Sequence, residues 1–571
     1  MIVHNTDGSH IKGLVINMFN SFWPELVAKE GFVQSISTPL LKAFKKSDKK
    51  KQNPQVFFNM IDYEKWLEHD LKGNLNGWDI KYYKVLGTSK ENEAAEIFSE
   101  FDKRIISFIW ETGKAGSNKS NKTNNTNNIN KPNEENIENI ENDENINIEL
   151  QNKLEDKRND TIYNSPSYDS ITLAFDGLRI NDRKNWLAKY DRNDVLNCTK
   201  QKVTYSDFIN KDLIHFSNDD NIRSIPSVID GLKPSQRKIL HICFKNDQKS
   251  EVKVAQLAAD VAKYTAYKHG EKSLEEAIVC MAQNFVGANN INLLNPSGNF
   301  GHRKQGGKEA AQSRYIFTRL ETITQKIFKK EDFPILKYLE DEGDIVEPDY
   351  FLPIIPMVLV NGSAGIGTAF STTIPSFNPV EIANNILNKM ENKPLKHMMP
   401  YYYGFKGKVE HITESQYKIS GIYKIINENT VRITELPLAG HLCWIEKYEE
   451  FLKKLLPDAK SDQKKKDTAT KIVNYSSNCT NNKIDFEVVF RGNELQKLVK
   501  KKQETVEDEI EKYLKLSAKM STTNLCLYNE KGFNITKYES AEDILENFYE
   551  FRLKKYEVRR KHHLKLLNNE L

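Results

Sequence analysis

Several features that mark other protein classes are missing from this 571-residue sequence. It has no run of about 18 apolar residues, so no segment is predicted to span a membrane. The opening stretch, MIVHNTDGSHIKG, lacks the apolar centre of a secretory signal peptide. The six cysteines are scattered without a CxxC pair. This spacing argues against a disulfide framework or a zinc site and favours a reducing compartment.

Net charge is also small, because 83 Lys and Arg against 79 Asp and Glu leave only +4. The charge is unevenly distributed, since residues 231–330 hold 17 Lys and Arg against 8 Asp and Glu, a net +9. A basic block in an otherwise acidic chain suits a polyanionic partner, because each cation near a phosphate releases condensed counterions. An ordinary solvated basic surface would give the same count, so charge alone leaves both interpretations open.

The chain is too long for one hydrophobic core and predicts several domains. Residues 116–150 contain 13 Asn and few large apolar groups, so they are predicted to form a disordered insert. Apolar spacing predicts helices in IKGLVINMFNSFWPELV, in NEAAEIFSEFDKRIISF, over 492–516 and in the stretch that begins AEDILENFYEF. Alternating patterns predict strands in FVQSISTPLLKAF, WDIKYYKVLGT, GKVEHIT, TVRITELP and KIDFEVVF.

A series of ordered motifs runs along the chain. They include DGSHIKGLVIN (7–17), DRKNWL (182–187), IPSVIDGLKPSQRKIL (225–240), YKHGEKSL (267–274), FGHRKQGGKEAAQSRYIFT (300–318) and IIPMVLVNGSAGIGTAFST (354–372). Together these motifs resemble the eukaryotic-type type IIA DNA topoisomerases, and the likeness covers the whole chain apart from the Asn-rich insert.

The resemblance implies a multidomain α+β fold. Its expected parts are the C-terminal part of a TOPRIM α/β domain (1–112), a disordered insert (113–165), a linker (166–200), a winged-helix domain with the catalytic tyrosine (201–330), a mixed α/β tower (331–530) and the start of a helical coiled-coil arm (531–571). A chain that begins inside a motif and ends inside a helix is interpreted as a fragment of a longer protein.

Four residues are implied to act in catalysis. Tyr315 would attack a DNA phosphodiester and become attached to the 5′ phosphate, as a phenol can once a base or cation activates it. Arg314 beside it would stabilise the charge that develops on the phosphoryl oxygens. His269 would hydrogen-bond the scissile phosphate or relay the phenolic proton, and Arg237 would help to build the phosphate site.

Further residues are implied to contact DNA. Relatives touch the DNA backbone at the positions that hold Lys233, Lys253, Tyr267 and Ser273, contacts that give register with little sequence preference. Ile366 in GSAGIGTAF matches an isoleucine that wedges between base pairs. Trp444 is also expected at the DNA, although ELPLAGHLCW separates its ELP from the Trp by about three residues more than the family does.

The expected metal site is the main departure from the family, which binds Mg²⁺ with an upstream Glu and a D-x-D-x-D triplet before GSH. Here the triplet positions hold Val3, Asn5 and Asp7, so Asp7 is the remaining candidate ligand. As written, the chain is expected to cleave DNA poorly. We favour a truncated or split gene over an inactive polypeptide or a partner that supplies the acidic half. Val85, where relatives have glycine, is a smaller departure.

The expected function is that of the breakage–reunion region of a type II topoisomerase: a homodimer that cuts double-stranded DNA, passes a second duplex and reseals. The full enzyme would use ATP, bound by a domain outside this sequence, since FGHRKQGGKEA lacks the GxxxxGK[ST] form of a P-loop and no GHKL-type site is present. Nuclear localisation is expected if the source is eukaryotic.

Three alternatives stay open from the sequence. The chain could be a DNA-binding or DNA-bending remnant without cleavage, or one subunit of a split enzyme whose ATPase and acidic half lie on another chain. It could also be the cleaving subunit of a bacterial-type gyrase or topoisomerase IV. The last is disfavoured because GSHIKG precedes the winged-helix motifs on the same chain.

Overall fold

The structure is a computed structural model, mixed α/β in architecture. It describes residues 6–48, 53–83, 91–113, 162–341, 344–456, 471–504, 508–530, 532 and 534–570. The chain divides into two compact units, Met1–Asn221 and Ile222–Leu571. The Asn-rich stretch 116–150 and Val85 lie outside the described residues.

The first unit contains short helices around two small sheets. Its helices are α1 (Thr6–Phe22), α2 (Pro24–Val27), α3 (Met60–His69), α4 (Glu91–Ser99), α5 (Phe101–Arg104), α6 (Pro166–Phe175), α7 (Ile180–Leu187), α8 (Tyr205–Phe208), a π-helical turn (Ile209–Leu213) and α9 (Ile214–Ser224), which runs into the second unit. Its strands are β1 (Gln34–Ile36), β2 (Leu41–Lys45), β3 (Gln55–Phe57), β4 (Trp78–Tyr82), β5 (Ile105–Ile109) and β6 (Lys202–Thr204).

One sheet of this unit has the order β1-β5-β6 and the other β3-β2-β4. The helix predicted over NEAAEIFSEFDKRIISF is wrong at its end, because its last residues form β5. Burial alternates along β5, with Ile106 and Phe108 inside, which is the period of a strand. This strand pairs antiparallel with β1 and parallel with β6.

The segment 166–200, for which the sequence predicts a linker, contains α6 and α7. Ser165 caps α6 by accepting the N–H of Tyr168. Ile171 of α6 and Trp186 of α7 are buried in the same core as Phe108. The predicted domain boundaries themselves stay predictions.

The second unit begins within α9 and continues through these elements: α10 (Pro234–Lys245), β7 (Val252–Lys253), α11 (Val254–Tyr264), α12 (Glu271–Ala282), β8 (Phe317–Thr318), α13 (Thr322–Ile327), a 3₁₀ turn (Lys330–Ile335), β9 (Tyr338–Asp341), β10 (Asp344–Pro348), α14 (Met357–Asn361), β11 (Ser363–Ile366), β12 (Ser371–Ile374) and α15 (Pro379–Met390). The following part comprises β13 (Lys408–Thr413), β14 (Gln416–Ser420), β15 (Ile422–Asn427), β16 (Thr430–Glu435), a 3₁₀ turn (His441–Cys443), α16 (Ile445–Lys454), β17 (Ile472–Ser477), β18 (Phe486–Phe490), α17 (Glu494–Glu504), α18 (Glu509–Tyr513), β19 (Ser517–Ser521), β20 (Leu525–Tyr528), β21 (Ile535–Tyr538) and α19 (Ala541–Glu570).

Two hydrophobic cores hold this unit together. The first includes the apolar faces of α10, α11 and α12, with Ile239, Leu257 and Ile278 almost fully buried. The second lies on the antiparallel sheet β15-β16-β18-β17, which α16, α17 and α18 cover. Two-stranded ladders β7-β8 and β11-β12 carry candidate site residues and are described below.

The single helix predicted over 492–516 is wrong, because α18 begins with its own cap. Asp508 adopts an extended backbone, and its carboxylate accepts the N–H groups of Ile510 and Glu511. The terminal helix prediction is confirmed by α19. No helix in the described part of the chain is long and apolar enough to cross a membrane.

Candidate active site

Tyr315 lies just before β8, and its side chain is 66% exposed. The residues around it are tied to the first turn of α11. Ile316 is buried, and its carbonyl oxygen accepts the N–H of Val254 at 3.0 Å. The carbonyl oxygen of Ser313 accepts the N–H of Ala255 at 3.2 Å. The backbone is therefore held on both sides of Tyr315, and the phenol itself faces solvent.

Arg314 stays close to this phenol. Its guanidinium carbon lies 5.1 Å from the centroid of the Tyr315 ring. The same guanidinium donates a short hydrogen bond to the side-chain amide oxygen of Gln312, a residue that the sequence analysis did not single out. A guanidinium cation is thus held beside the ring of an accessible tyrosine.

Lys253 is brought next to the tyrosine segment by the short β7-β8 ladder. It pairs in register with Phe317, two residues after Tyr315, and its side chain is exposed. Lys253 also stands at the N-cap position, directly before the first residue of α11. The ladder therefore brings Lys253, a second cation besides Arg314, to the segment that contains Tyr315.

His269, Tyr267 and Ser273 lie in and after the turn that joins α11 to α12. The rings of Tyr267 and His269 are in edge contact, with centroids 5.3 Å apart. His269 is exposed, and Ser273 is exposed in the first turn of α12. His269 and Ser273 are therefore accessible to a ligand, whereas Tyr267 is half-buried against the first core of this unit.

Arg237 is buried, and its surroundings differ from those of a solvent-facing phosphate contact. Its Nε and Nη2 donate to the carboxylate of Asp230 at 2.8 and 3.1 Å, and Nη2 also donates to the Leu232 carbonyl oxygen at 3.0 Å. Burial opposes the charge, but attraction and hydrogen bonds to Asp230 raise the pKa of Arg237. The catalytic role stays a prediction, and in the structure Arg237 holds the turn before α10.

Lys233 supports the base of the β11-β12 hairpin. Its Nζ donates to the carbonyl oxygen of Ala364 at 2.8 Å. Burial lowers the pKa of Lys233, an effect that nearby Cys280 partly offsets. If Lys233 contacted a phosphate, its ammonium group would have to bind both the phosphate and the carbonyl oxygen of Ala364.

Ile366 stands near the tip of that hairpin and is 85% exposed. The hairpin is nevertheless closely packed. A Cβ added to Gly365 would lie 2.0 Å from the carbonyl oxygen of Ser224, so only glycine allows this approach. Gly362 has a φ of +68°, which again favours glycine. Ile366 is thus an accessible apolar side chain on an anchored hairpin.

Trp444 is half-buried before α16 and packs on the glycine-rich loop upstream of Tyr315. A Cβ added to Gly306 would lie 2.5 Å from the Cε2 of Trp444. Its indole also contacts Phe285 in an edge arrangement, with ring centroids 6.1 Å apart. The predicted DNA contact stays a prediction, whereas the contact with the loop is present in the structure.

Asp7 is half-buried in the first turn of α1. It lies near His10, whose pKa is lowered by burial although Asp220 and Asp7 raise it. Val3 and Asn5 lie outside the described residues. In the described ranges no group of three or more His, Cys, Asp or Glu is placed to hold a metal ion. These residues therefore do not fit a Mg²⁺ site by themselves.

Family models match most of the chain. The model for the A-type subunit of DNA gyrase/topoisomerase IV matches residues 223–571, and the C-terminal associated domain of TOPRIM matches 36–155 and 143–221. The chain belongs to the type IIA DNA topoisomerases. The resemblance seen in the sequence motifs is confirmed.

Individual relatives support the same assignment. The chain is 38% identical to DNA topoisomerase 2 of Plasmodium falciparum over 99% of its own length and 35% of that protein. It is 39% identical to the Saccharomyces cerevisiae enzyme, covering 97% of this chain and 34% of the relative. It therefore spans about a third of the length of these curated relatives. A crystal structure titled Plasmodium falciparum topoisomerase II DNA-binding, cleavage and re-ligation domain matches with TM-score 0.74 and 38% identity, over 100% of this chain and 67% of that one.

Proposed function

We propose that this chain is the breakage–reunion region of a type II DNA topoisomerase, with Tyr315 as its nucleophile. The observation that carries the proposal is the exposed phenol of Tyr315 beside the Arg314 guanidinium, on a backbone held to α11. The similar chain titled as a DNA-binding, cleavage and re-ligation domain supports this choice of reaction.

The reaction exchanges one phosphodiester for another. The Tyr315 oxygen attacks phosphorus and loses its proton, while the bond from phosphorus to the 3′ oxygen breaks and that oxygen gains a proton. The products are a 5′-phosphotyrosyl link and a free 3′ hydroxyl, which attacks back to reseal the strand. Arg314 would stabilise the charge on the phosphoryl oxygens, and exposed His269 is the proposed proton relay.

The domain assignments suggested by the family are retained as proposals. Helices α10, α11 and α12 around one core, with β7 and β8 as the adjoining ladder, suit a winged-helix domain. The sheet β15-β16-β18-β17 with its covering helices suits the tower, and α19 suits the start of a coiled-coil arm. The first unit is proposed as the region associated with a TOPRIM domain, in line with its family match.

Double-stranded DNA is the proposed partner, bound by Lys253, Tyr267 and Ser273 at the backbone and by Ile366 between base pairs. A homodimer would make the staggered double-strand break, with one Tyr315 cutting each strand. Type IIA enzymes generally depend on Mg²⁺. We propose that the upstream glutamate of the metal site and the ATP site belong to parts of a longer protein or to a separate polypeptide. Nuclear localisation stays a proposal, since one relative is named as mitochondrial.

The test is covalent capture of DNA. The chain is mixed with supercoiled plasmid and Mg²⁺, quenched with detergent and examined for protein attached to linear DNA. A second variant carries Val3→Asp and Asn5→Asp, which restore the acidic triplet, and Tyr315→Phe is made in both backgrounds. We expect more adduct with the restored triplet and none with Tyr315→Phe. An adduct that survives Tyr315→Phe would refute the assignment of the nucleophile.

The second candidate function is DNA binding or bending without cleavage. It is favoured by one specific observation, the absence of an acidic cluster among the described residues. This candidate would be preferred if the restored variant, extended upstream to include the acidic half, bound and bent DNA but formed no adduct.

A further inference from the structure

The glycine-rich loop 299–311, just upstream of Tyr315, is fixed to a distant part of the second unit. We propose that Arg303, Glu435 and Trp444 act as positioning residues for Tyr315, by clamping this loop to the end of β16 and the start of α16. The inference rests on the proposed function of Tyr315 as nucleophile. None of the three is proposed to touch the reacting atoms.

The first half of the clamp is a buried ion pair. Arg303 is 2% exposed, and its Nη2 lies 2.6 Å from the Oε1 of Glu435, which is 3% exposed. The same nitrogen donates to the Leu436 carbonyl oxygen at 3.2 Å. The Glu435 carboxylate is itself held, since it accepts the backbone N–H groups of Lys406 and Leu436. A charge pair this deep tolerates little movement, because separating it would leave two unpaired buried charges.

The second half of the clamp lies at the far side of the loop. Trp444 covers Gly306, whose φ of +67° and lack of a side chain let the indole approach the backbone. The Gln305 amide donates to the Glu446 carboxylate at 2.9 Å, and the Glu446 N–H donates to the Lys304 carbonyl oxygen at 3.1 Å. The loop is thus held by side-chain, backbone and ring contacts to one short segment.

Backbone contacts connect the loop to the segment that contains Tyr315. The Ala311 N–H donates to the Asn299 carbonyl oxygen at 2.9 Å, which closes the loop four residues before Tyr315. After the tyrosine, the N–H and carbonyl groups of Phe317 pair with those of Ser297. A Cβ added to Gly298 would lie 2.9 Å from the Cγ2 of Ile316, so the two strands are in close contact.

This arrangement has a functional consequence. The position of the Tyr315 backbone depends on contacts made more than 100 residues later in the chain, at β16 and α16. A nucleophile displaced by about 1 Å can lose about a hundredfold in rate. Movement of the β16–α16 segment, for instance when DNA binds along it, would therefore change the efficiency of cleavage without touching the phosphate.

The test compares two clamp variants with a matched control. Glu435→Gln removes the buried charge, and Trp444→Ala removes the ring over Gly306. Asp485→Asn is the control, because Asp485 is another buried carboxylate beside the same sheet but pairs with Arg432 instead of the loop. Trp444→Phe, which keeps a ring over Gly306, is the conservative variant expected to rescue.

Two readouts are measured on the whole chain. Hydrogen–deuterium exchange of peptides covering 299–317 should rise about tenfold or more in both clamp variants and stay unchanged in Asp485→Asn and Trp444→Phe. Covalent adduct formed in the triplet-restored background should fall by about ten- to a hundredfold in both clamp variants. Non-covalent DNA affinity should stay within about twofold in Glu435→Gln, whose side chain is buried.

Unchanged exchange in both clamp variants would overturn the proposal, as would an equal rise in Asp485→Asn, because that result would mean general loosening. If the triplet-restored chain, extended upstream, forms no adduct at all, the proposed function fails. The exchange readout needs no cleavage, so it still decides whether the clamp orders the tyrosine segment.

Discussion

The substitution Arg237→Met separates two roles of a residue at the predicted phosphate site. Asp230 is fully buried and accepts both Arg237 bonds, together with the N–H groups of Leu232 and Phe351 at 3.0 and 2.9 Å. Removing one member of a buried ion pair costs about 3–5 kcal/mol. The two backbone donors remain, so we expect the lower end, about 3 kcal/mol.

The assay is urea unfolding, monitored through the hydrogen exchange of peptides from α10 so that the signal reports on the second unit. With a denaturant slope of about 3 kcal/mol/M, a loss of about 3 kcal/mol lowers the midpoint by about 1 M. The double variant Asp230→Asn with Arg237→Met should recover part of this loss, because no unpaired charge is then buried.

A surface phosphate contact behaves differently. Its removal changes stability by about 0.5 kcal/mol or less and lowers DNA affinity instead. If Arg237→Met leaves the urea midpoint unchanged while DNA affinity falls, our structural account of the Asp230 pair is refuted.

Three more predictions concern single side chains. Ile366→Ala should leave the thermal midpoint within about 1 °C, because Ile366 is 85% exposed, and should reduce DNA bending measured by fluorescence transfer between labelled duplex ends. Burial, together with repulsion from the charges of Lys245 and Lys238, lowers the pKa of His241 to about 4. As the pH falls, the unfolded chain therefore binds a proton at this histidine before the folded chain does. The free energy of unfolding should therefore decrease as the pH is lowered from about 6.5 to about 4. In urea titrations, His241→Phe should reduce this dependence of the unfolding free energy on pH. Arg552→Met should destabilise the docking of α19 by about 3 kcal/mol, measured by exchange of its first turns, because Arg552 pairs with buried Asp332.

Local patterns in the sequence predicted many elements of the fold. Apolar periodicity identified α1 and α19, and alternation identified β16 and β18. The two errors share a cause, since Ile105–Ile109 and the residues around Asp508 sit at the ends of strongly helical stretches. Ile105–Ile109 form a strand because they pair with β1 and β6. A new helix begins after Asp508 because its side chain caps α18. Neither interaction can be predicted from apolar periodicity alone.

The residues of the candidate site that lie in short sequence motifs could be predicted from the sequence. Tyr315, Arg314 and Ile366 came from short motifs, and the structure leaves Tyr315 and Ile366 exposed as their proposed roles require. The burial of Arg237 was not predictable, because it depends on how the preceding turn folds back onto Asp230. The Arg303–Glu435 pair joins residues 132 positions apart, and such a contact follows only from the assembled fold.

Tyr315 and Ile366 are both exposed side chains on anchored backbone, an arrangement that bears on the proposed affinity for DNA. Each exposes a side chain that gains nothing from exposure in the free protein, yet each is carried by backbone with little freedom to move. Gly365 abuts the Ser224 carbonyl oxygen, and Ile316 is held by Val254. Ordering a mobile segment on binding costs about 1–2 kcal/mol per residue for the backbone alone. A site that is already ordered avoids that cost, so we expect the anchoring contacts to contribute to the proposed affinity for DNA.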